Sequence, residues 1–157
     1  MISAFVLFIA GSPVQSVDKI KINQNFPSGI KAGDEFTVTL NINKSAIKGF
    51  ARLQQDLPKG FTAFEIESKG ADFIFENQRI NFIWVNLPEE NDFTISYKIK
   101  TDKNIIENQV VNGEFVFMDN DKTQRQSLSP VYIKIEENKF TIYNLIFDYI
   151  LIRFYFI

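Results

Sequence analysis

The sequence predicts an all-β protein, an immunoglobulin-like antiparallel β-sandwich of about nine strands, and three observations carry that expectation. Two segments, Phe36 to Ile42 and Phe93 to Ile99, alternate large apolar with polar side chains, so each can bury one face and wet the other. Turn residues recur at short intervals between Val17 and Asn138, with no long stretch of helical periodicity. The chain holds 17 phenylalanines but neither histidine nor cysteine. That is enough aromatic volume for a core without disulfides, and it removes the commonest general base, metal ligand and thiol nucleophile together.

A chain of 157 residues with 45% hydrophobic content fits one domain that buries roughly two thirds of its unfolded surface. Seventeen basic residues stand against 19 acidic ones for a net charge of −2, and no two basic residues are adjacent. Nucleic-acid binding needs a concentrated basic stripe, so that class of partner is excluded. The lack of cysteine excludes lipid attachment through a thiol and leaves the compartment open.

Strands are expected at 17–23, 34–43, 48–57, 61–68, 71–76, 79–86, 92–101, 110–118, 122–128 and 131–136, the density of an immunoglobulin-like sandwich. Gly33-Asp34 opens the second, while Glu76-Asn77-Gln78 and Asp119-Asn120-Asp121 make tight hairpins. Side-chain parity then places the core. Inward go Phe36, Val38, Leu40 and Ile42; Phe64 and Ile66; Phe73 and Phe75; Ile80, Phe82 and Trp84; Phe93, Ile95, Tyr97 and Ile99; Phe115 and Phe117; Val131, Ile133 and Ile135. Ile83 and Val85 take the other parity of 79–86, which asks for a central strand or a cover from the tail or a loop. In 48–57, Gln55 shares the parity of Leu53 and Leu57, as a bulge or an edge position would explain. That segment and 17–23 are the expected edges, where another envelope protein could add a strand.

The ends differ from the middle, where the sandwich spans 17–138. Residues 1–16 read as a signal peptide: an apolar run from Ile2 to Ala10, then Gly11, Ser12 and Pro13, then Val14-Gln15-Ser16 with small residues at a cleavage site after Ser16. The first lysine is Lys19, so the usual basic leader is missing; either the start is truncated or the segment is a buried strand. Export implies a periplasmic, cell-surface or secreted location. From Phe140 to Ile157 there are fourteen Phe, Ile, Tyr or Leu residues and no Gly, Pro, Ala or Val. Asp148 and Arg153 interrupt this run as a membrane span, and it is too long for one strand without a turn. These are the residues that A/T-rich DNA encodes in a wrong frame. Residues 139–157 therefore read as a frameshifted or truncated gene end, with membrane contact only if this apolar aromatic tail is genuine.

The run Asp56-Leu57-Pro58-Lys59-Gly60-Phe61, with the alternating strand at 36–42 before it and Phe82-Ile83-Trp84, Leu87 and the strand from Phe93 after it, resembles the conserved-repeat immunoglobulin-like domains of bacterial surface proteins. Gly33 to Val38, continuing through Gly49-Phe50, is similar to the opening of a cohesin-type domain. The resemblance covers about residues 30–101, and the corner D-L-P-K-G is one residue shorter than the usual form. It implies a fold and an extracellular habit but transfers no binding site. Physically, Pro58 fixes φ and Gly60 can take positive φ, so Asp56, Leu57, Pro58 and Gly60 form a structural corner that carries the chain between sheets.

Candidate chemistry is sparse. Without histidine a catalytic serine or threonine would need a lysine or carboxylate base, and no G-x-S-x-G, S-x-x-K or phosphate loop occurs. Carboxylates pair at Glu65 and Glu67, at Glu89, Glu90 and Asp92, and at Asp119 and Asp121. The first pair is expected to share one face of a strand, which suits solvated charges as well as glycosidase chemistry. Asp119-Asn120-Asp121 supplies two carboxylates and an amide, short of the six to eight oxygens that calcium takes. Trp84, with Phe50 and Tyr132, could stack on sugar rings, although a lone tryptophan in such a strand belongs to the core more often. Asn43-Lys44-Ser45 matches a glycosylation acceptor. No catalytic, cofactor-binding or metal-ligating residue is assigned. The expected function is a non-catalytic, exported structural or protein-interaction module of the bacterial cell envelope, and the alternative is a carbohydrate-binding module.

Overall fold

Eleven strands follow one another in the computed structural model, which describes residues 20–136. The expected leader at 1–16 and tail at 139–157 lie outside the described residues. The strands are β1 (Lys21–Asn25), β2 (Gly29–Lys31), β3 (Glu35–Asn43), β4 (Ala51–Asp56), β5 (Phe61–Glu67), β6 (Asp72–Glu76), β7 (Arg79–Trp84), β8 (Asp92–Thr101), β9 (Gln109–Asp119), β10 (Lys122–Ser127) and β11 (Val131–Glu136). They form two sheets, one in the order β1-β3-β8-β5 and a larger one in the order β2-β11-β9-β4-β7-β6 with β10 also on β9. The protein is an immunoglobulin-like β-sandwich. The short β2, absent from the sequence reading, pairs with β11 in parallel, and three residues are too few to leave an alternating pattern.

The spine of the smaller sheet is β3 against β8, paired without interruption from Glu35↔Lys100 to Asn43↔Asp92. In the larger sheet, one edge of β9 takes β11 over Val111 to Gln109 and then β10 over Asp119 to Glu114. Gly113 marks the changeover, where the Leu128 amide donates to its carbonyl at 2.8 Å. A Cβ at Gly113 would lie 2.7 Å from the Gln54 carbonyl oxygen and 2.9 Å from Leu128 Cδ1, so only glycine lets three strands meet there. Asn77-Gln78 and Asn120-Asp121 form the two hairpin turns, with all four residues at φ between 49° and 60°. Positive φ at both central positions is the type I′ geometry that matches the twist of the flanking strands.

Val38, Leu40 and Ile42 of β3 and Phe93, Ile95, Tyr97 and Ile99 of β8 are buried with Leu53, Ile80, Phe82, Trp84, Phe115 and Phe117 of the larger sheet. Phe36 is half-buried at the margin of this core. Phe82 lies 6.1 Å from Trp84, 6.0 Å from Tyr97 and 5.1 Å from Phe73, while Trp84 meets Phe93 edge-on at 5.7 Å. Each buried ring contributes about 1.5–3 kcal/mol by leaving water, and each favourable aromatic pair roughly 0.5–1.5 kcal/mol more. Phe82 with Tyr97 and Trp84 with Phe93 carry ring contacts from one sheet to the other, within a core that aliphatic side chains of both sheets complete.

Two sequence expectations about packing are corrected. Phe64 and Ile66 are half exposed, and Phe61 and Ala63 are buried in their place. Segment 61–66 has apolar residues on both parities, and β8 decides between them: Phe61 pairs with buried Thr101 and Ala63 with buried Ile99. The segment expected to be an irregular edge, 48–57, contains β4, which lies between β9 and β7. Gln55 faces inward and is fully buried because it has partners: Tyr97 Oη donates to its Oε1 at 2.7 Å, and its Nε2 donates to Gln24 Oε1 at 2.8 Å. On the outer face of β7, Ile83 is half-buried, and Val85 beyond the strand end is 74% exposed.

Candidate functional site

A sandwich interacts most simply at its free strand edges, which present unpaired backbone N–H and C=O groups. The described edges are β1 and β5 in the smaller sheet and β6, β2 and β10 in the larger. Four of them are protected. β2 is only three residues long. β1 is tied to the opposite sheet, since Gln24 Nε2 donates to the Ser129 carbonyl at 2.8 Å and Gln126 Nε2 to the Ile20 carbonyl at 2.9 Å. β10 carries Lys122 and Arg125, and the latter donates to both carboxylate oxygens of Glu114 at 3.0 and 3.1 Å. β5 is bent by a register shift between Glu65 and Glu67, a bulge of the kind that spoils an edge for further pairing.

The fifth edge, β6, has no such device. Asp72-Phe73-Ile74-Phe75-Glu76 pairs with β7 in unbroken register from Asp72↔Ile83 to Glu76↔Arg79 and contains no proline, lysine or bulge. In a two-residue hairpin the pair beside the turn exchanges both hydrogen bonds, and bonded pairs then alternate along the ladder. The N–H and C=O groups of Phe73 and Phe75 therefore point away from β7, toward the open edge. Their rings turn inward and remain half-buried against the core, while Ile74 is 40% exposed on the outer face.

β5 ends at Glu67, and a four-residue connection leads to Asp72 at the start of β6, whose other end is Glu76. Among the described residues, Glu65, Asp72 and Glu76 form no ion pair, while Glu67 accepts a hydrogen bond from the Lys69 amide at 2.9 Å. β6 is acidic at both ends and apolar between, and Arg79 opposite Glu76 is held by Asp56. The strand is also remote from both ends of the described chain, because Ile20 and Glu136 lie by β1 and β11 on the opposite side.

The corner at 56–60 carries the chain from β4 in the larger sheet to β5 in the smaller. Leu57 is buried and Gly60 takes φ +82°, with the Gly60 carbonyl accepting from the Asp102 amide at 2.7 Å. Asp56 accepts from Arg79 Nε at 2.7 Å, and this bond with its charge holds the guanidinium pKa above its ordinary value. Gln78, from the next hairpin, clips the corner: its carbonyl accepts from the Leu57 amide at 2.7 Å, and its Nε2 donates to the Phe61 carbonyl at 2.9 Å.

Other sequence candidates do not assemble. Trp84 is fully buried and its Nε1 donates to the Lys69 carbonyl at 3.2 Å, so it has no face for a sugar ring. Phe50 sits by Met118 at one end of β9 and Tyr132 opposite Val110 near the other, roughly 25 Å away at the rise of a strand. Glu65 pairs with inward Tyr97 and Glu67 with outward Ser96, so the bulge sets this pair on opposite faces rather than one. Asp119 to Asp121 is the tight turn itself, with Asn120 Nδ2 donating to Asp119 Oδ1 at 3.2 Å. Asn43 is engaged with Asp92 at 2.6 Å, and Lys44 is buried with Nζ donating to the Ile47 carbonyl at 2.9 Å. Recesses of about 360 Å³ beside Ala46 and Met118 and about 290 Å³ beside Gly60 and Ile105 are open and shallow. The sequence reading missed the open β6 edge because Phe73 and Phe75 counted only as core; the available signal was an acid-aromatic alternation with no guarding lysine or proline.

Fold and flank together define an immunoglobulin-like sandwich module with one unguarded edge among the described residues. Comparison with solved structures agrees on the fold. The chain is similar to the full-length major pilin SpaD from Corynebacterium diphtheriae (TM-score 0.55, 11% identity), covering 72% of this chain and 35% of that one. It is also similar to a non-cellulosomal cohesin from the hyperthermophilic archaeon Archaeoglobus fulgidus (TM-score 0.54, 13% identity), covering 80% of this chain and 97% of that one. The chain thus spans about a third of the pilin and nearly the whole cohesin. No family model matches it, and no curated protein does.

Proposed function

We propose that this protein is a non-catalytic structural or protein-interaction module, exported to the bacterial cell envelope. The observation that supports the reading is the side of the sandwich formed by β5 and β6, where β5 exposes Phe64 and Ile66 and β6 exposes Ile74 between Asp72 and Glu76. Exposed apolar groups rimmed by charge mark protein contacts more often than small-molecule sites. The pilin and the cohesin share this sandwich fold, and the apolar run before Ser16 is the sequence basis for export. A polysaccharide role loses its anchor with the burial of Trp84.

The test uses the full-length chain expressed in a bacterium. Cell fractionation should find it in the envelope or medium, and cross-linking there should join it to a protein that a Phe64→Lys/Ile66→Lys variant no longer captures. Retention in the cytoplasm would refute the export part. Cross-links identical in wild type and variant would refute the role of the flank.

A further inference from the structure

We infer that the open edge of β6 is a docking strand for an extended, basic segment of a partner protein. The inference deepens the interaction-module reading and rests on it. Backbone, side chains and charge each contribute. Phe73 and Phe75 offer free N–H and C=O groups along one straight edge, the requirement for strand addition. Their half-buried rings leave a part-covered seam between the sheets, which side chains on one face of an added strand would close.

Charge selects the partner. Asp72 and Glu76 stand four residues apart on the outer face of β6, with Ile74 between them on that face. A paired strand therefore meets acid, aromatic, aliphatic, aromatic, acid in turn. The complementary segment carries lysine or arginine at its first and fifth positions, apolar residues at the second and fourth, and any strand former between. The carboxylates of Asp72 and Glu76 favour encounter with basic segments and reject acidic ones. The contrast with the other edges strengthens the assignment: bulge, lysine, tethering side chains and short length protect each of them, and natural sheets rarely leave a flat edge unguarded without use.

The probe is a capped heptapeptide with lysines at positions two and six, valines at three and five, threonine at four, and glycine ends. It is titrated into the ¹⁵N-labelled full-length chain, with amide shifts and hydrogen exchange read residue by residue. Binding should slow exchange at the amides of Phe73 and Phe75, and Asp72→Lys/Glu76→Lys should weaken it at least tenfold. Both carboxylates are exposed and have no ion-pair partner among the described residues, so the variant's spectrum should be unchanged away from β6. A peptide with glutamate for lysine should not bind.

Shifts centred on β1, β5 or β10, or affinity indifferent to the charge reversal, would overturn the inference. So would concentration-dependent dimerisation of the full chain that Ile74→Lys abolishes, which would make a second copy the occupant. If the peptide fails while the envelope cross-link persists, the β6 assignment falls and the interaction-module reading stands. If the peptide binds at β6 but no envelope partner is found, the docking edge stands and the envelope role falls.

Discussion

Tyr97 and Gln55 show how much one polar contact in this core controls. The Tyr97 hydroxyl is buried, and burial raises its pKa well above the ordinary tyrosine value, with the hydrogen bond to Gln55 working the other way. From the hydroxyl the hydrogen bonds continue through Gln55 and Gln24 to the Ser129 carbonyl, linking β8, β4, β1 and the β10–β11 connection. Tyr97→Phe leaves the Gln55 oxygen without its donor, and should cost about 1–3 kcal/mol at neutral pH. The pH dependence follows from the raised pKa. Above about pH 10 the unfolded tyrosine ionises while the folded one stays protonated. The unfolded state then binds fewer protons, and stability falls with rising pH by up to about 1.4 kcal/mol per unit. Urea midpoints from pH 8 to 11.5 should show the gap between wild type and Tyr97→Phe constant below about pH 9 and shrinking above pH 10. Parallel curves would mean that Tyr97 does not titrate with unfolding.

At the level of strands, β5 tests which side of an ambiguous segment faces the core. Phe61→Ala removes a buried ring and should cost about 3–5 kcal/mol, whereas Phe64→Ser, on the outer face, should stay within about 0.5 kcal/mol. Equal losses in thermal or urea unfolding would restore the parity read from sequence. At the β9 changeover, Gly113→Ala forces a methyl against the Gln54 carbonyl and should cost roughly 1–3 kcal/mol. The sequence carried the fold class well, because Phe36 to Ile42 and Phe93 to Ile99 form the long central pair, where one buried face imposes strict alternation. It carried less wherever a neighbour decides the outcome. The facing of β5 depends on β8, and the burial of Gln55 depends on Tyr97 and Gln24, residues distant in the chain. An edge is likewise a property of the assembled sheet, so β4 resembled one and β6 did not.

The described residues form two sheets that share one core, and its aromatic cluster holds Trp84, the single tryptophan of the chain. The sheets also exchange strands in sequence: β3 and β8 belong to one, β4, β7 and β9 to the other, and β2 reaches β11 across about a hundred residues. Neither sheet can be completed from a continuous stretch of chain, so neither has a local route to independent stability. Folding must therefore close long loops before its contacts form, which places such sandwiches in the slow range of milliseconds to seconds. The same interleaving predicts a single cooperative transition. Tryptophan fluorescence reports the inter-sheet cluster and far-ultraviolet circular dichroism reports strand content of both sheets, so their urea curves should superimpose. Trp84→Ala should lower stability by about 3–5 kcal/mol and move the circular dichroism midpoint without splitting the transition. If fluorescence changes ahead of circular dichroism in the wild type, the sheets separate before they melt, and the aromatic cluster is a contact between two units rather than the core of one.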